Sequence, residues 1–206
     1  MSYNIFWFRR DLRLKDNVGL FHALSQKEKL IPLFIFDKNI IDNLPKDDSR
    51  ISFIYNQLRK INEELQSYGS SLLVQKGDPK LVFEKLISKY KINTVFSNED
   101  YEPYALYRDR KVSEYLKNQD VFHKQYKDQV VFSPLEILKD DGNPYTVYTP
   151  YKNKWLIRFR ENPISIHDEM NAVNFHKYSF VFPTIEQIGF EFSKIHVRDY
   201  TLKILD

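Results

Sequence analysis

The chain has no cysteine, which excludes a disulfide framework, a thiolate metal site and a cysteine nucleophile. Only five of its 206 residues are glycine. No Gly-x-Gly-x-x-Gly follows the first apolar run and no Walker loop occurs anywhere, which argues against an ordinary NAD-dependent dehydrogenase or a P-loop enzyme. A Gly-x-Ser-x-Gly nucleophile elbow is missing too. The five histidines, His22, His123, His167, His176 and His196, show no metal-ligand spacing, so no metal site is expected. No apolar run approaches the length of a membrane span and the N-terminus lacks a signal-peptide core; the expectation is a soluble, cytoplasmic protein with no membrane partner. A strong charge of one sign is also lacking. The net charge of +3 is too small to argue for nucleic acid by itself.

What the chain does have is aromatic residues, 16 Phe and 14 Tyr among them. They read first as core and second as surfaces for a ring-shaped ligand. The most informative stretch is the first seventeen residues. Tyr3–Phe8 has the length and composition of a buried strand. It ends abruptly on Arg9-Arg10-Asp11-Leu12-Arg13, and so much charge at the end of a buried strand must pair or meet a ligand. In an open α/β sheet, ligands bind beyond the carboxyl ends of the strands.

Strand and helix signals then alternate. Strands are predicted at Tyr3–Phe8, Leu30–Phe36, Ser71–Gln75, Asn93–Ser97 and Val121–Tyr126. Asp16, Ser49 and Asp78 are candidate N-caps of the helices between them, with Pro79 at a first helical position and Gly69 at a helix end. Leu81, Val82, Leu86 and Ile87 read as the inward positions of one helix; Leu106, Val112, Tyr115 and Leu116 are the apolar positions of the next. The pattern predicts an α/β fold, a doubly wound, Rossmann-like sheet of five parallel strands over residues 1–132. Residues 133–160 read as an extension with short helices, one opening at Thr149-Pro150-Tyr151. From 161 to 194 periodicity fades, and 161–206 reads as an irregular interdomain linker. Ile195–Asp206 resembles a helix beginning, and the expectation is a natural protein that continues beyond it.

The motifs carry a resemblance. Phe6-Trp7-Phe8-Arg9-Arg10-Asp11-Leu12-Arg13-Leu14-x-Asp16-Asn17 is similar to the opening of the DNA photolyase/cryptochrome family. So are Leu33-Phe34-Ile35-Phe36-Asp37, Ser49-Arg50, Gly77-Asp78-Pro79, Asn98-Glu99-Asp100-Tyr101-Glu102-Pro103-Tyr104, Arg108-Asp109 and the run Asn143–Asn153 followed by Trp155. They come in family order. The resemblance implies the N-terminal light-harvesting domain of a deoxyribodipyrimidine photo-lyase, a carbon–carbon lyase that repairs UV-induced pyrimidine dimers. It would be a flavoprotein in which reduced FAD supplies a light-driven electron. FAD would sit in a C-terminal helical domain, and this chain alone would be inactive. UV-damaged DNA and that helical domain are the implied partners of an expected monomer. A cryptochrome-type blue-light sensor and a (6-4) photolyase are the alternatives.

The resemblance also implies a second, antenna chromophore in the N-terminal domain. Folate-binding members often carry Asn-Glu where this chain has Tyr104-Ala105. The Asp100-Tyr101-Glu102-Pro103-Tyr104 form is more similar to members with a deazaflavin or flavin antenna. By that similarity Arg10, Phe36, Arg50 and Asp100 surround the chromophore. Each has a plainer reading: Arg10 in an ion pair, Phe36 in the core, Arg50 exposed at a helix start, Asp100 capping the helix that follows. Arg9 and Arg13 read first as ion pairs that fasten the first loop. Lys152, Lys154, Arg158 and Arg160 read as a solvent-facing basic cluster.

Overall fold

A computed structural model describes residues 2–167 and 171–194. The helix expected at Ile195–Asp206 lies outside the described residues. Strand β1 (Tyr3–Phe8) leads to helix α1 (Val18–Leu24), β2 (Lys29–Asp37), the short α2 (Lys38–Ile41) and α3 (Ser49–Ser67). Then follow β3 (Leu73–Gly77), α4 (Pro79–Lys89), β4 (Ile92–Asn98), α5 (Pro103–Lys117) and β5 (Phe122–Tyr126). All strand pairings in this sheet are parallel and the order is β3-β2-β1-β4-β5. The α/β, Rossmann-like expectation therefore holds, with β1 central.

Strand alternation divides the core in two. Phe6 and Phe8 of β1 and Phe34 and Phe36 of β2 face α1 and α3, where they meet Leu20, Leu24, Leu58 and Leu65. Ile5, Trp7, Ile31, Leu33 and Ile35 face α4 and α5, where they meet Phe83, Leu86, Val112 and Leu116. Of the positions read as inward on α4, Leu81 is exposed and Phe83 takes its place. Leu106 of α5 is exposed as well, because that helix turns Arg108 and Asp109 inward.

Helix starts follow local polar chemistry, with two corrections. The N-cap of α1 is Asn17, not Asp16: the Asn17 side chain accepts from the Leu20 N–H, while Asp16 sits in the left-handed region at φ 47°. The N-cap of α3 is Asp48, not Ser49, because the Asp48 carboxylate accepts from the Arg50 N–H. Asp78 caps α4 with Pro79 behind it, and Gly69 follows α3 at φ 71°, both as predicted.

Beyond β5 the chain leaves the sheet. After turns it forms α6 (Tyr148–Glu161), a single helix with no buried residue. From 162 to 194 the described chain is irregular apart from a 3-10 turn at Ala172–Asn174 and the short α7 (Ile185–Ile188). It is nevertheless anchored as a strap. Phe175, Ile185, Ile188 and Phe190 are buried in the core on the α1/α3 side. The His176 N–H donates to Leu30 O at 2.8 Å, and the Ser70 and Ser71 hydroxyls donate to the carbonyls of His176 and Tyr178, both at 2.7 Å. β3 starts at Leu73 rather than at Ser71, and the N–H just before it, that of Leu72, donates to Asn62 Oδ1 at 2.8 Å instead of to the sheet. No helix among the described residues is long and apolar enough to cross a membrane.

Candidate functional site

The chain runs outward from β1 through β2 to β3, then returns to the other side of β1 as β4. The order reverses between β1 and β4, and the loops leaving their carboxyl ends flank the crevice where such folds place ligands. Here the floor of that crevice is closed by the protein's own amides. Asn98, the last residue of β4, donates to Asp11 Oδ2 at 2.6 Å and to Asn17 Oδ1 at 2.8 Å. Its own Oδ1 accepts from the Gly19 N–H at 2.9 Å. Asp11 Oδ1 accepts from the Arg9 N–H at 2.8 Å. These side chains are buried and mutually satisfied, so they hold the first loop rigidly against β4.

Gly19 is required by this closeness. A Cβ there would lie 2.6 Å from Asn98 Oδ1 and 2.9 Å from Phe6 Cε2. Alanine normally stabilises a helix interior relative to glycine by about 1 kcal/mol. Gly19→Ala is expected to do the reverse, lowering stability by about 2 kcal/mol through overpacking and a strained buried hydrogen bond. Urea unfolding checks the sign.

Above the floor stands a charged rim. Arg10 follows β1 and its side chain is 50% exposed; Asp100 follows β4 and its side chain is only 5% exposed. Arg10 Nη2 donates to Glu102 Oε1 at 2.6 Å, and Arg10 Nε lies 3.7 Å from Asp100 Oδ2. The hydrogen bond to Glu102 raises the Arg10 pKa further above its ordinary value, with Asp100 adding to it. Asp100 Oδ1 accepts from the Glu102 N–H at 3.2 Å, but the N-cap of α5 is Glu102 and no side chain caps it, so Asp100 steadies the turn before the helix and is not its cap. Its second oxygen faces Arg10.

The other two residues assigned to the chromophore pocket have different surroundings. Phe36 is 2% exposed and packs edge-on against Phe34 at 4.9 Å in the core. Arg50 is an exposed residue whose guanidinium pairs with the cap Asp48 at 2.7 Å. The structure therefore joins Arg10 to Asp100, buries Phe36 and ties Arg50 to its own helix start. Arg13 pairs with the buried Asp128 carboxylate at 2.9 Å, which fastens the first loop to the segment after β5.

Tyr104 stands at the position where folate-binding relatives are expected to differ. Its hydroxyl donates to Asp37 Oδ2 at 2.6 Å. Burial, then the hydrogen bond to Asp37, pushes its pKa up to about 12. The position thus presents a neutral phenol held in place, with no free carboxylate.

Beneath the rim, on the α5 side, lies a buried ionic cluster. Arg9 and Arg108 both pair with Asp109. The two guanidiniums lie 5.3 and 5.0 Å from the centre of the Trp7 ring. Gln125 donates to Asp109 Oδ2 at 2.9 Å. His123 stands between two serines, its Nε2 3.0 Å from Ser97 Oγ and its Nδ1 2.7 Å from Ser113 Oγ. Ser113 has one hydroxyl proton and donates it to Asp109 O at 2.7 Å. It must therefore accept from His123 Nδ1–H, which leaves Nε2 to accept from Ser97. The ring is enclosed although the residue, on an edge strand, is only half-buried. Burial pushes the His123 pKa down to about 4, aided by the charges of Arg9 and Arg108 and opposed by Asp109.

Asn98, Tyr104, Arg108, Asp109 and His123 were not assigned to a site from the sequence. Arg108-Asp109 was visible as a motif, but nothing in periodicity marks a charged pair that faces inward. No group of three or more His, Asp or Glu side chains among the described residues could hold a metal ion.

Residues 4–170 match the family model described as DNA photolyase. The deoxyribodipyrimidine photo-lyase of Synechococcus sp. (strain PCC 6301) is 33% identical over 194 residues, covering 91% of this chain and 40% of that protein. An archaeal photolyase from Sulfolobus tokodaii is 33% identical with a TM-score of 0.65, covering 74% of this chain and 34% of that one. A bacterial class III photolyase from Agrobacterium tumefaciens is 25% identical with a TM-score of 0.75, covering 90% of this chain and 37% of that one. The chain thus spans well under half the length of these relatives.

Proposed function

The chain belongs to the DNA photolyase family, and we propose that it forms the N-terminal light-harvesting domain of a deoxyribodipyrimidine photo-lyase that repairs cyclobutane dimers in UV-damaged DNA. Reduced FAD would supply the light-driven electron from a helical domain that corresponds to the remaining length of the relatives. The task of this chain's own residues is to hold an antenna chromophore and to dock against that domain.

The observation that carries the antenna reading is the Arg10–Asp100 pair on the rim between β1 and β4. The residues there fit a flavin-type ring. Arg10 is half exposed and can turn from Glu102 to a carbonyl or anionic ring edge. Asp100 is held by the Glu102 N–H and keeps its second oxygen as an acceptor for a ring N–H or a hydroxyl. Phe36 is enclosed in the core, so ring stacking is not its part. The neutral Tyr104 does not replace a folate-binding carboxylate. The Sulfolobus tokodaii relative was solved with two FAD molecules, with the implication of a novel light-harvesting cofactor, which favours the flavin type here.

Fluorescence titration of the 206-residue chain with FMN, a deazaflavin and methenyl-folate tests the reading. A flavin-type ligand is expected to bind, and Asp100→Ala to weaken it by about 1–3 kcal/mol through loss of a buried hydrogen bond. Folate binding that survives Asp100→Ala, with no flavin-type binding, would overturn the antenna assignment. Light-driven loss of dimers from damaged DNA with this chain alone would overturn the placement of the chemistry in a separate domain.

A further inference from the structure

Every helix before α5 starts under a side-chain cap. Asn17, Asp37, Asp48 and Asp78 accept from first-turn N–H groups of α1, α2, α3 and α4. Glu102 holds the cap position of the fifteen-residue α5 and makes no such bond. Its carboxylate reaches across to the loop after β1 instead, where Oε1 accepts from Arg10 Nη2 at 2.6 Å. A cap position whose side chain is committed elsewhere forgoes stability at the helix end, and departures of that kind gather at functional places.

The rest of the rim is arranged around that bond. Arg10 Nε stays 3.7 Å from Asp100 Oδ2, too far for a hydrogen bond. Asp100 Oδ2 accepts no hydrogen bond among the described residues; the other oxygen, Oδ1, is the one that the Glu102 N–H holds. The rim therefore presents an open acceptor on a buried side chain, beside a guanidinium that is already engaged. Arg10 and Glu102 are 50% and 54% exposed, so their pair opens at small cost. A guanidinium has five N–H donors, and a neutral carbonyl can accept from one that Glu102 leaves free. An anionic group has to approach Arg10 past two carboxylates, and like charges at that range repel.

We propose, on the antenna reading of this rim, that Glu102 is its specificity-determining residue: it occupies Arg10 against anions, so that the rim takes the uncharged N–H and C=O edge of a flavin-type ring and rejects phosphate and carboxylate. The ring N–H donates to the open Asp100 oxygen, and the adjacent carbonyl accepts from Arg10. A phosphate-bearing tail then points away from the rim.

The test is modification of Arg10 in the 206-residue chain by phenylglyoxal, followed by peptide mass spectrometry. The reagent attacks the uncharged guanidine, a form that the bond to Glu102 disfavours. Glu102→Gln should speed modification of Arg10 about threefold or more. Arg50, tied to Asp48, is the internal reference and should react at an unchanged rate. Inorganic phosphate at constant ionic strength should protect Arg10 in Glu102→Gln and not in the wild type. Lumiflavin, an uncharged isoalloxazine, should protect Arg10 in both. An Arg10 rate indifferent to Glu102→Gln overturns the proposal, and so does equal protection of the two proteins by phosphate. Lumiflavin protecting neither protein, with the phosphate results as expected, overturns the antenna reading and leaves the control of Arg10 by Glu102 standing, so the two fail separately.

Discussion

Asp109→Asn is expected to destabilise the protein by about 3–5 kcal/mol, the usual consequence of removing one partner from a buried ion pair. Asparagine keeps the shape of the side chain, so the loss isolates charge from packing. Its effect reaches across the sheet, because Asp109 on α5 is the counter-charge of Arg9 after β1 and of Arg108 beside it, and it also accepts from Gln125 on β5. Urea unfolding of the variant measures the loss. Adding Arg108→Met to Asp109→Asn should recover part of it, since one orphaned guanidinium is then gone and an apolar stem remains over Trp7. A single Asp109→Asn variant as stable as wild type would mean that the cluster is hydrated and contributes little.

The second large effect is acid sensitivity from His123. Its folded pKa is about 4 against an ordinary 6.5, chiefly because the ring is enclosed. Between these values the unfolded chain takes up a proton that the folded chain refuses. Stability therefore has its full value above about pH 6.5, falls as pH drops, and levels off below about pH 4 as far as this group is concerned. The shift corresponds to roughly 3 kcal/mol at the low-pH end. His123→Gln keeps a donor and an acceptor between Ser97 and Ser113. It should flatten this acid limb of the stability curve while changing stability at pH 8 much less. An acid limb of unchanged slope in His123→Gln would assign the loss to the carboxylates instead.

The elements that could be read from the sequence are those whose burial follows a period. Tyr3–Phe8 appears with both ends as predicted, and its apolar run stops where charge begins at Arg9. The start of α4 was legible because Asp78-Pro79 is local chemistry complete within two residues. Where periodicity failed, a distant contact decided. Leu106 and Leu81 fit the helical spacing yet lie outward, and on α5 the inner positions belong to Arg108 and Asp109, whose partners come from the β1 loop and β5. The same holds for the candidate site. Arg10 and Asp100 were legible as charges at the ends of neighbouring strands. Phe36 was not separable from its core role, since its place in the strand alternation puts it on the face shared by Phe34 and Leu58. Arg50 was legible as an exposed arginine at a helix start; its partner was not, because Ser49 rather than Asp48 was taken for the cap.

The strap has a consequence for the protein's synthesis. The face of the sheet against α1 and α3 is made by residues that leave the ribosome early, yet it is closed by Phe175, Ile185, Ile188 and Phe190. Until the chain has grown past position 190, the part of that face that α1 and α3 leave open stays uncovered and displays apolar side chains. At ordinary rates of elongation this interval lasts seconds. Nascent chains ending at residue 132 should therefore recruit holding chaperones and yield to proteases, whereas chains extended beyond 190 should become resistant in one step.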